Sequence, residues 1–177
     1  MKVILVSGKA RHGKDTVAGM LQEKLTLDGK RVLQTHYADL LKYICRSFFN
    51  WNGEKDEAGR HILQYVGTDV IRKKCPSFWV DFIRSILNFF GDNWDYVLIP
   101  DTRFPNEIEE MKDSGFDVTH LRVVRPYFIS PLTEEQQRHP SETALDHTVP
   151  DCWIENAGSL DDLREAVNDF VKEQLYG

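Results

Sequence analysis

Residues 7–16 read Ser-Gly-Lys-Ala-Arg-His-Gly-Lys-Asp-Thr and follow directly on the apolar, β-branched run at residues 3–6. Gly8, Gly13 and Lys14 make the skeleton G-x-x-x-x-G-K, whose glycines allow a tight turn and close backbone approach. A buried strand before it and a helical spacing after it (Val17, Met20, Leu21, Leu25) supply the context such a loop needs. Backbone N–H groups and the helix N-terminus would then face an anion, with Lys14 reaching the β- and γ-phosphates of a nucleotide. The spacing G-x-G-x-x-G is absent after the strand, which argues against a dinucleotide site. Asp15 stands where such loops ordinarily carry Ser or Thr, and Thr16 follows. A carboxylate there suits a divalent cation or the acceptor. Thr16 could bond an α-phosphate, and Lys9 and Arg11 add cations where phosphate charge would gather.

The rest of the chain alternates strands and helices, which predicts an α/β fold with a mainly parallel sheet. Strands are expected at residues 3–6, 31–37, 95–100, 117–124 and 152–155. Helices are expected at 16–27, 40–49, 57–74, 76–90, 106–113 and 160–175, with a short helical piece near Glu134. Helices follow one another without a strand from about residue 40 to 90, so this part would stand out from the sheet as an insertion. Residues 127–149 are polar and proline-bearing. At 177 residues the chain suits one domain that buries roughly 70 % of its unfolded surface.

The balance of 22 Lys+Arg against 28 Asp+Glu gives a net charge of −6, which discounts wrapping of duplex nucleic acid. Cys45, Cys75 and Cys152 are odd in number and lack C-x-x-C spacing, so reduced thiols in or near a core are expected rather than a disulfide framework or zinc ribbon. No apolar stretch reaches 18 residues and the N-terminal run is too short for a signal h-region, so the expected location is cytoplasmic, with no membrane partner.

In parallel α/β folds ligands bind beyond the carboxyl ends of the strands. After the second expected strand comes Ala-Asp-Leu-Leu-Lys at 38–42, where Asp39 could cap a helix or serve an acceptor site beside Lys42. After the third comes Asp-Thr-Arg-Phe-Pro-Asn-Glu at 101–107. Asp101 is placed to act on metal or acceptor, and Arg103 offers a planar fork for phosphate. Asn106 and Glu107 read more as helix-start chemistry. Arg60, Gln64, Thr68 and Arg72 recur every four residues and form either a solvated face or a wall that reads a base and a monophosphate. Trp79 is either core or a base-stacking platform. Arg125, Arg138 and Glu142 fall in a segment that could close over transferring phosphates, and Asn156 opens a turn that could lie against adenine.

The combination S-G-K-x-R-x-G-K-D-T at 7–16, A-D-x-L-K at 38–42, L-Q-x-x-G-T-D at 63–69, D-T-R-F-P-N-E at 101–107, H-P-S-E at 139–142 and W-I-E-N-A-G-S-L at 153–160 resembles the deoxynucleoside monophosphate kinases of bacteriophage type. These belong to the phosphate-loop kinase superfamily and are related to phosphomevalonate kinases. The resemblance covers nearly the whole chain. It implies a three-layer α/β/α fold with a five-stranded, mainly parallel sheet, a helical acceptor-binding insertion at about 40–90 and a lid at about 125–149. It also implies transfer from ATP, with Mg²⁺, to a deoxynucleoside monophosphate, in the host cytoplasm if the gene is a phage's. Lys14, Asp15 and Thr16 carry over as phosphate and metal residues, and Asp39, Arg72, Asp101 and Arg103 as acceptor-side residues. A homodimer stays open, and no nucleic-acid polymer is an expected partner. Two rivals remain: a kinase for phosphomevalonate or dephospho-coenzyme A, and a nucleotide-dependent switch. The chain lacks the guanine motif N-K-x-D, which counts against a GTPase-like switch.

Overall fold

The computed structural model describes residues 1–54 and 56–177; Lys55, within the expected insertion, lies outside the described residues. Five strands form one sheet in the order β2-β3-β1-β4-β5, and every pairing is parallel. They are β1 (Lys2–Ser7), β2 (Val32–Gln34), β3 (Tyr96–Thr102), β4 (Asp117–Val124) and β5 (Cys152–Glu155). The helices are α1 (Lys14–Leu27), α2 (Ala38–Phe48), α3 (Glu57–Gln64), α4 (Phe78–Phe90), α5 (Pro105–Asp113), α6 (Glu134–Arg138), α7 (Pro140–Thr143) and α8 (Leu160–Phe170).

The two-residue period of a strand sorts the core into two layers. Ile4, Val6, Leu98, Leu121 and Val123 face α1 and α8 through Val17, Leu21, Leu163 and Val167. Val3, Leu5, Val97 and Ile99 face Trp79, Val80 and Ile83 of α4 and Ile108 and Met111 of α5. The result is the expected three-layer α/β/α sandwich, with a sheet that is wholly rather than mainly parallel among the described residues. β1 and β3 are apolar on both faces because both faces are covered.

Three local expectations change. The second strand ends at Gln34, not at residue 37, because Tyr37 is already the cap residue of α2. The third strand runs past Pro100 to Thr102. Between Leu5↔Ile99 and Ser7↔Thr102 it carries one more residue than β1, a bulge that accommodates a proline without an N–H and re-aims Asp101. The helix expected at 57–74 is α-helical only through Gln64, then π-helical over Tyr65–Arg72; the C-terminal helix likewise ends in a π turn at Val171–Leu175. Of the thiols, Cys45 is buried and Cys152 partly so, whereas Cys75 is exposed. No helix among the described residues is long and apolar enough to cross a membrane.

Candidate active site

Strand β1 delivers the chain into the loop at residues 8–13, and α1 receives it at Lys14. Gly8 has φ +145, and a Cβ there would meet the Val123 carbonyl oxygen at 2.3 Å. Gly13, the residue before α1, has φ +99, and a Cβ there would meet Asn156 Nδ2 at 2.7 Å. Both positions therefore need glycine for conformation, and Gly8, set against backbone, needs it for space as well. Arg11 also takes a left-handed conformation, φ 61. Asn156 Nδ2 donates to the His12 carbonyl at 3.1 Å, so the turn after β5 holds the loop from outside.

The loop curls over Lys14, whose Nζ donates to the Lys9 carbonyl at 2.9 Å. Only 8 % of Lys14 is exposed, and burial, with the Arg103 cation next, pulls its pKa down to about 8. Lys9 donates to the Glu142 carbonyl at 2.5 Å and pairs with Asp146. Glu142 ties the segment after β4 to the loop: one carboxylate oxygen accepts the Ala10 N–H at 2.9 Å, and the other accepts from Arg103. Arg103 also donates to the Ser141 carbonyl at 2.9 Å.

Beyond the strand ends lies a cavity of 510 Å³. From the loop side Arg11, Lys14 and Asp15 line it; from the sheet, Asp101 and Arg103; from the segment after β4, Gln136 and Glu142. The opposite wall is built by Lys42 of α2, by Trp79, and by all four members of the stripe Arg60, Gln64, Thr68 and Arg72. The π turn explains the last point. Four residues of α-helix overshoot a full turn by roughly 40°, and four of π-helix, at about 4.4 per turn, undershoot it by roughly 30°. The two drifts offset one another and keep the stripe on one face. Trp79 is core and wall at once: it is 3 % exposed and its Nε1 donates to the Gly67 carbonyl at 3.2 Å.

Asp39 does not cap α2; it sits in the first turn, accepting the His36 N–H at 3.0 Å and Lys42 Nζ at 2.9 Å. The cap is Asp101, which accepts the N–H groups of Tyr37 at 3.0 Å and Ala38 at 2.9 Å. Other expected residues lie elsewhere. Thr16 is exposed on α1 and does not line the cavity. The Arg125 guanidinium rests 4.7 Å from the Phe128 ring centroid, outside the lining. Arg138 pairs with Glu134 one turn back on exposed α6, at 3.0 Å, because the helix points it at its own i−4 partner.

Two residues enter that the sequence did not single out for chemistry. His36 lies between Asp15 (3.7 Å) and Asp39 (3.3 Å), and the Asp15 contact chiefly raises its pKa. Its position just beyond β2 was the available signal. Glu107 is 2 % exposed; its Oε2 accepts the N–H groups of Arg103 at 2.7 Å and Phe104 at 3.1 Å, and its Oε1 accepts from Arg72 at 2.5 Å. The sequence showed only the helix-start half of that role.

Residues 28–167 match the family model for deoxynucleotide monophosphate kinase. The chain is 27 % identical over 167 residues to the deoxynucleotide monophosphate kinase of Escherichia phage RB69, covering 90 % of this chain and 65 % of that protein. It is 31 % identical over 123 residues to that of Enterobacteria phage T4, covering 68 % of this chain and 48 % of that protein. The chain thus spans under two thirds of the length of these relatives. In fold it is similar to the APS kinase of Mycobacterium tuberculosis solved with AMPPNP and APS, with TM-score 0.56, 15 % identity and coverage of 97 % of this chain and 98 % of that one. With most of its length matched by the family model and its loop and D-T-R-F-P-N-E segment meeting over one cavity, the chain belongs to the deoxynucleotide monophosphate kinase family.

Proposed function

We propose that this chain transfers the γ-phosphoryl group of ATP to a deoxynucleoside 5′-monophosphate, releasing ADP and a deoxynucleoside diphosphate. One observation carries the reading: the donor-type loop (Lys14, Asp15) and a wall of acceptor-type groups (Gln64, Arg72, Arg103) line the same cavity. In the reaction an acceptor phosphate oxygen forms the new bond to γ-phosphorus while the bond to the β-bridging oxygen breaks. No strong base is needed, because the acceptor oxygen is already anionic near neutral pH; positioning and charge neutralisation dominate.

Lys14 and the loop N–H groups hold the donor phosphates. Arg72 and Arg103 face the acceptor phosphate, and Gln64, an amide with both donor and acceptor atoms, faces a base edge. Arg60, Thr68 and Lys42 complete that side, with Asp39 holding Lys42 from outside the lining, and residues 40–90 act as the acceptor-binding part. The segment from 125 to 149 serves as the lid, closing through Gln136 and Glu142; Arg125 and Arg138 reach the site only if it moves.

The donor set fits Mg²⁺: Asp15 and Asp101 present hard carboxylate oxygens to the same cavity, suited to an ion that keeps water and phosphate as its other ligands. Mg²⁺ bound with the nucleotide would supply further charge neutralisation, while Asp15 and Asp101 orient its ligands.

ADP release measured against a panel of deoxynucleoside and ribonucleoside monophosphates, phosphomevalonate and dephospho-coenzyme A tests the reading. Release that requires a deoxynucleoside monophosphate supports it. Slow hydrolysis indifferent to acceptor, or preference for another acceptor, overturns it.

A further inference from the structure

Glu107 is the least exposed carboxylate among the described residues at 2 %, and burial drives its pKa up to about 7 while the Arg72 cation pulls it down. Buried ion pairs are weak sources of stability, since desolvation offsets their attraction. Helix-start chemistry alone would need only one oxygen. Oε2 performs that task on the Arg103 and Phe104 N–H groups; Oε1 is left for Arg72, which belongs to a different element. The Arg72 guanidinium is fixed on two further sides, by Asn106 Oδ1 at 3.1 Å and by the Phe104 ring, whose centroid lies 3.9 Å away. Its side chain is 13 % exposed, and it still lines the cavity.

We propose that Glu107 is a positioning residue for phosphoryl transfer: its single carboxylate joins Arg72 of the insertion to the backbone that carries Arg103, and so presets the two arginines as one clamp for the acceptor's monophosphate. This rests on the reading of the cavity given above. A guanidinium held on three sides loses little freedom when phosphate arrives, which lowers the entropic cost of binding. Glu107 touches no substrate and acts only through Arg72 and the Arg103 backbone.

The experiment is a double-mutant cycle on acceptor kinetics with Glu107→Gln, Arg72→Ala and the pair. The amide introduced by Glu107→Gln could still accept the two backbone N–H groups, so the change is aimed at Arg72. Glu107→Gln should raise the acceptor KM roughly 10–100-fold, leave the ATP KM nearly unchanged, and add nothing in the Arg72→Ala background. Asn106→Ala, which removes a support of Arg72 but leaves Glu107 in place, should act in the same direction more weakly; it carries the test if Glu107→Gln unfolds. Unchanged acceptor KM in the folded Glu107→Gln or Asn106→Ala variant, additivity with Arg72→Ala, or equal loss of ATP and acceptor binding would overturn the proposal. NMR of the Arg72 guanidinium gives a readout that needs no activity: restricted rotation in the wild type that is lost in the variant supports positioning, and free rotation in the wild type refutes it. A wild-type chain that phosphorylates no monophosphate sinks the functional reading instead, and the guanidinium signal still decides whether Glu107 fixes Arg72.

Discussion

Asp101 Oδ2 lies 2.9 Å from the backbone nitrogen of Ala38, so a residue of β3 caps a helix that begins 63 residues earlier in the chain. The bulge around Pro100 makes this reach possible, and the same carboxylate faces the cavity. Structure and chemistry can be separated here. Asp101→Ala should lose about 1 kcal/mol of stability with the cap. Asp101→Asn, which retains an oxygen acceptor, should lose less than that, yet turn over much more slowly, because the charge is gone. Urea midpoints and kcat measured on both variants check this; wild-type turnover by Asp101→Asn would remove Asp101 from the chemistry.

Lys14→Met should fold normally by circular dichroism and lose about 10²–10³-fold or more in kcat, the scale of removing one preset donor at developing charge. The lysine's lowered pKa of about 8 adds a second outcome. Phosphate beside the ammonium favours the charged form, so ATP binding at pH 8 should take up part of a proton. Calorimetry in buffers of different ionisation enthalpy measures that uptake, which should vanish in Lys14→Met.

Gly8→Ala should damage the loop more than a methyl group suggests. The new Cβ would stand 2.3 Å from the Val123 carbonyl oxygen, at a φ of +145. Strain of about 1–3 kcal/mol is expected, together with weaker ATP binding. Thermal melts with and without ATP distinguish the two effects: the variant should start lower and gain less from the nucleotide.

His120, 1 % exposed, shares a 2.7 Å hydrogen bond with Ser7 Oγ, and burial pulls its pKa from 6.5 to about 4. The unfolded chain therefore binds the extra proton first as pH falls below 6.5. Stability contributed by the neutral ring is present above that pH and is lost down to about pH 4, by about 3 kcal/mol at most. His120→Gln should show a flatter decline of unfolding free energy between pH 7 and 4.5. Parallel curves for the two proteins would show that His120 does not titrate in this window.

Much of the protein is legible along the chain because the signals are local. Residues 3–6 are apolar without interruption because β1 is central and covered on both faces, and Gly8, Gly13 and Lys14 carry their meaning in their spacing. The stripe from Arg60 to Arg72 is periodic, so its common face could be read, although the π turn that keeps it aligned could not. Other features depend on partners distant in sequence. Asp101 caps α2 only because parallel pairing sets β3 beside β2. Glu107 reaches Arg72 only because the helical stretch that carries Arg72 packs over α5, and a carboxylate's burial is decided by what covers it. Arg138 is drawn to Glu134 by the short helix that carries both. Motif and periodicity determine the glycine-rich loop and the layers, while the cavity wall opposite that loop is decided by tertiary packing, because hydrogen bonding and desolvation act between neighbours in space.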